Sequence, residues 1–93
     1  MGRIGVDRMI KNYRKKPVVI QAVHWLGSNI DELREFMKDP GLEKRENQSV
    51  MITTLEGTME AKIGSWIIRG VNGEFYPCQH DIFKQTYEEC DNG

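Results

Sequence analysis

Apolar and polar positions along the chain fall into short blocks separated by glycine, proline and polar turns. The first block is Pro17–Trp25, PVVIQAVHW. Val19, Gln21, Val23 and Trp25 share one face under a period of two, and Val18, Ile20, Ala22 and His24 share the other. Both faces are largely apolar, which predicts an interior strand. Pro17 fits only at its start, because proline has no N–H for a ladder. Gly27-Ser28-Asn29 breaks the pattern, and Ser28 with Asp31 approximates a capping box. The period then changes to that of a helix over 30–38, with Ile30, Leu33, Phe36 and Met37 on one stripe. Asp39-Pro40-Gly41 ends it.

Short strand patterns dominate the remainder. Val50–Leu55 turns at Glu56-Gly57 into Thr58–Lys62, a tight hairpin. Met59 and Ala61 alternate there with Glu60 and Lys62. After a corner at Ile63-Gly64, Ser65–Arg69 sets Trp66 and Ile68 against Ile67 on the other face. Asn72-Gly73 favours a turn, and Glu74–Tyr76 is a last strand stopped by Pro77. Asp81 can cap a short helix over 82–85, with Phe83 and Tyr87 at i, i+4 spacing. The order β-α-β-β-β-β-α predicts an α+β domain: a small bent antiparallel sheet or partly open roll, one main helix packed on it and a short C-terminal helix. Residues 1–12 read as a flexible basic lead, 13–90 as one domain and 91–93 as a frayed tail.

Length and charge sharpen this picture. A chain of 93 residues forms one small core, and oligomerisation adds buried area, so a dimer or tetramer is expected. The apolar runs fall short of the ~20 residues of a membrane span, and the basic start lacks the apolar core of a signal peptide. Net charge is −1 overall, but residues 1–19 hold six cations against Asp7 alone. Such an arm on an acidic body attracts anions. Cys78 and Cys90 read as reduced thiols in a cytoplasmic setting.

Catalytic chemistry is hard to find. Cys78-x-His80 is too sparse for zinc, and no phosphate loop occurs, so neither metal nor cofactor is expected. Cys78 and His80 share a strand face only if the strand continues past Pro77, which weakens a thiol-imidazole nucleophile. His24 reads as a structural histidine. The residues offer a binding constellation instead. Tyr13 stands beside Arg14, Lys15 and Lys16; Lys62 and Arg69 flank Trp66; Thr53 offers a hydroxyl and Tyr76 a ring. Aromatics can stack on bases and cations can bind phosphates. Against this, Trp25 and Trp66 read as core packing, and the cations as a solvated rim.

YRKKPVVIQAVHW and TLEGTMEAKIGSWIIRGVNGEFYPCQHDIFKQTYE together resemble a widespread family of small phage and prophage proteins, over most of residues 13–88. The Gly64-Ser65-Trp66 stretch is also similar to short proteins with a PGDYG motif, with Ser65 in place of the usual acidic residue, and His80 stands where the phage family usually has proline. The resemblance implies a phage protein acting in the cytoplasm of an infected bacterium. It further implies an anti-CBASS sponge that sequesters cyclic dinucleotides or other cyclic oligonucleotides without cleaving them. No membrane and no duplex nucleic acid is expected as a partner. The rival expectation is a non-catalytic module that binds a host or phage protein, which an uncovered strand edge would favour. A small enzyme is the third.

Overall fold

The computed structural model describes residues 10–91. Most of the expected basic lead, with Arg3 and Arg8, and the last two residues lie outside them. Five strands and two helices follow in the order β1 (Gln21–His24), α1 (Ile30–Met37), β2 (Val50–Thr54), β3 (Gly57–Ala61), β4 (Trp66–Arg69), β5 (Phe75–Cys78), α2 (His80–Thr86). The fold is α+β. Its strands form two antiparallel sheets, a three-stranded one ordered β1-β4-β5 and the β2-β3 hairpin.

The three-stranded sheet is covered on both faces. Pairing sets Val23 opposite Ile67 and Ala22 opposite Ile68 on β4. Val23, Ile67 and Phe75 point to one side, into a core with Trp25, Leu33, Leu42, Val50, Ile52 and Ala61. There α1 contributes Leu33, Ile30, Phe36 and Met37, and Phe36 meets Phe75 edge to face at 5.6 Å. Ala22, Ile68 and Trp66 point to the other side, where α2 delivers Phe83. Ile68 and Phe83 are buried but lie outside the main core cluster, so each face has its own apolar layer.

This double cover corrects the reading of the first strand. It is short, and it lies at an edge: β4 flanks it on one side and no described strand on the other. Its two apolar faces reflect cover by α1 and by α2, not two strand neighbours. β4 ends at Arg69, so residues 17–20 have no described partner strand, and Val18 and Val19 are 49% and 58% exposed.

Other boundaries shift for local reasons. Asn29, not Ser28, precedes α1. Its Oδ1 accepts the Leu26 N–H at 2.9 Å, and its Nδ2 donates to the His24 carbonyl and to Glu32 Oε1. The side chain thus ties the end of β1 to the first helical turn. The hairpin loop is Leu55-Glu56, because Thr54 pairs with Gly57 at φ 110°. Pro77 does not stop β5 but pairs with Ile67. Ile67 directs its own backbone bonds toward β1, so the nitrogen of Pro77 faces the outer edge and no ladder bond is lost. α2 begins at His80, preceded by Gln79, and Asp81 lies in its first turn.

Candidate functional site

Trp66 organises the face beneath α2. Its indole lies parallel to Phe83 at 4.1 Å and to His24 at 4.3 Å, and His80 stacks on His24 at 5.2 Å. Strand register explains this group: His24 sits opposite Trp66 across β1 and β4, while His80 and Phe83 come from the first turn of α2. Trp66 Nε1–H donates to His80 Nδ1 at 3.1 Å, so this nitrogen carries the lone pair. His24 Nε2 lies 3.0 Å from the Gly64 carbonyl. Trp66 is half-buried, whereas Trp25 is fully buried and donates from its own Nε1 to the Gln48 carbonyl. The expectation of core packing therefore holds for Trp25, while Trp66 belongs to a surface stack.

A cleft of about 780 Å³ opens beside this stack. Residues 18–22 form one wall; Phe83, Lys84 and Tyr87 with the tail from Glu88 to Cys90 form the other, and Trp66 lies between. Its chemistry is apolar at the strand and acidic at the tail, where Glu88 and Glu89 are both exposed.

The remaining candidate residues do not join Trp66. Arg69 lies on the α1 face, 5.9 Å above the Phe75 ring and 3.4 Å from Gln21 Oε1. Tyr76 shares the Trp66 face but lines a smaller cleft of about 320 Å³ between β5 and the hairpin tip. Burial, together with the neighbouring Tyr87 phenol, pushes the Tyr76 phenol up to about 12. Thr53 is exposed on the hairpin opposite Thr58, and Lys62 is exposed just after β3. Tyr13, Arg14, Lys15 and Lys16 form an exposed arm ahead of the first strand, with Tyr13 88% exposed. Among the described residues, no salt bridge or side-chain hydrogen bond involves the three cations of this arm.

Two arrangements bear on catalysis and metal binding. The Cys78 thiol donates to the Gln79 carbonyl at 3.6 Å, and burial pushes its pKa up. His80 Nδ1 is engaged by Trp66, and among the described residues no hydrogen bond joins Cys78 to His80. Among the described residues no group of three His, Cys, Asp or Glu side chains could hold a metal ion. No described helix is long and apolar enough to cross a membrane.

The sequence reading missed His24, His80 and Phe83 as partners of Trp66. Phe83 and Tyr87 carried a signal in their helical spacing, but His24 joins them only through strand register. No family model, curated protein or solved structure matches the chain.

Proposed function

We propose that this protein is a non-enzymatic binder that sequesters a cyclic oligonucleotide, acting in the cytoplasm of a phage-infected bacterium. The observation that carries this reading is the arm. Tyr13 presents a free ring, and Arg14, Lys15 and Lys16 present cations with no acidic partner among the described residues. A ring beside cations suits a ligand of bases and phosphates, since stacking tolerates any base and ammonium or guanidinium groups neutralise phosphate. The resemblance of residues 13–88 to small phage proteins suggests the same ligand class. An arm alone has no walls, so the ligand would be closed in by a second protein surface.

The test is to mix the protein with a panel of cyclic oligonucleotides, wash, denature, and identify released nucleotides by mass spectrometry. The expected result is intact ligand. Tyr13→Ala should weaken binding by about 1–3 kcal/mol, the range for one base stacked on an aromatic ring. Lys15→Ala should cost about 1.5–3 kcal/mol. Cleaved product would make the protein an enzyme, and no retained nucleotide would remove this reading.

The second reading is a module that binds a host or phage protein through β1. It is favoured by the open edge of that strand, where a further strand can add. Retained protein partners with no retained nucleotide would select it.

A further inference from the structure

We propose that residues 14–22, the segment that runs into β1, pair antiparallel with the same segment of a second copy, joining two three-stranded sheets across a two-fold axis at Val18. Three features of the chain support this.

The first is backbone polarity. Trp25 bonds the β4 side, its N–H donating to Ser65 and its carbonyl accepting from Gly64. By strand alternation, Val23 and Gln21 also bond β4, while Ala22 directs N–H and C=O to the open edge, and a strand continued through residues 18–20 on pairing would aim Ile20 and Val18 the same way. Pro17 falls in the inward set, so its missing N–H does not interrupt an outer ladder. The usual proline block on edge pairing is therefore absent where a second strand would add.

The second is apolar exposure. Val18 and Val19 stand 49% and 58% exposed beside the cleft. A strand laid antiparallel along residues 14–22 would cover them.

The third is charge complementarity. With Val18 opposite Val18 of the second copy, Lys16 faces Ile20 and Arg14 faces Ala22 of that copy. Paired residues share a sheet face. Arg14 and Lys16 thereby fall on the α2 side of the second copy, where Ile20 and Ala22 line the cleft together with Glu88 and Glu89. Two cations and two carboxylates meet, twice per dimer, with Lys84 the one cation in the same cleft lining. Tyr13 and Lys15 fall on the opposite face, where Lys15 stands by Gln21 of the second copy and hence near its Arg69. That face unites candidate ligand residues that one chain keeps apart. The dimer rests on the pairing of residues 14–22 and not on the nucleotide reading; within it Arg14 and Lys16 are held by carboxylates, which leaves Tyr13, Lys15 and Arg69 to a nucleotide.

The experiment is run without nucleotide, in a Cys90→Ser background. Light scattering should report a dimer at about 100 µM. Under mild oxidation, Val18→Cys should link to its own copy. Residues facing each other in a hydrogen-bonded antiparallel pair lie about 5.5 Å apart at Cα, within the span of a disulfide. Gln21→Cys should not link, because six residues of strand offset the two copies by about 20 Å. Joint replacement of Glu88 and Glu89 by Lys should raise the dimer Kd at least tenfold. Adding Arg14→Glu and Lys16→Glu should restore it, with circular dichroism confirming the fold of each variant. A monomer at that concentration overturns the proposal and leaves the edge to a different protein. A dimer in which Gln21→Cys links and Val18→Cys does not overturns the register. Unchanged affinity on charge reversal overturns the pairing of arm and tail.

Discussion

Trp66 is the residue whose role changes most between sequence and fold. Alternation sets it on one sheet face with Ile68, but half-burial follows from α2 landing on it. A fully buried aromatic truncated to Ala costs about 3–5 kcal/mol. Trp66→Ala should cost less, about 2–3 kcal/mol, because part of the ring already faces solvent. Trp25→Ala should reach the full range, since its ring is fully buried and the Gln48 carbonyl loses its donor. Urea unfolding of both variants checks the contrast, and equal losses would return Trp66 to the core. Trp66→Phe keeps an aromatic stack and removes the bond to His80, at about 1 kcal/mol.

At the scale of elements, the junction between β1 and α1 is set by Asn29. Its side chain bonds Leu26, His24 and Glu32, whereas among the described residues no side-chain bond of Ser28 is present. Asn29→Ala should destabilise the fold by about 0.5–1.5 kcal/mol, the range for a lost hydrogen bond, and Ser28→Ala should leave thermal melting nearly unchanged. If the two variants melt alike, Asn29 does not organise the junction. The same junction contains Gly27 at φ 86°, where an added Cβ would meet Ile63 at 2.9 Å. The positive φ holds that position to glycine, whereas the Ile63 methyl ends an exposed side chain that can move aside.

For the whole molecule, two groups bound stability on opposite sides of neutral pH. Glu60 accepts from Asn47 and from the buried Ser49 hydroxyl, and these bonds hold its carboxyl below the usual range. A lowered folded-state pKa contributes stability above the unfolded value, lost as pH falls through the folded one. Stability should therefore drop on the acid side, and Glu60→Gln should flatten that drop. Tyr76 has the opposite sign: raised to about 12, it contributes stability below the unfolded value near 10 that is lost as pH rises toward 12. Ultraviolet titration should show one of the three tyrosines ionising late, and Tyr76→Phe should remove that step. A Tyr76→Phe variant that retains the late step would assign it elsewhere.

The periodicities by themselves determined the α+β class, the helix over 30–38, which ends one residue earlier at Met37, the hairpin and the two faces of β1 and β4. Each depends on which residues alternate, and alternation is local. Strand parity sets positions 66 and 69 on opposite faces, so the grouping of Arg69 with Trp66 by nearness in sequence is corrected by the register. The tertiary structure decided what local pattern leaves degenerate. A strand apolar on both faces can be central, or it can be an edge covered by one helix on each side, and only the placement of α1 and α2 separated these for β1. Cap choice between Ser28 and Asn29 depended on whether His24 and Leu26 came within reach. The aromatic stack needed the register that sets His24 opposite Trp66, a contact between residues 42 positions apart. Such long-range pairings follow from how the elements close on one another, which no short window of sequence contains.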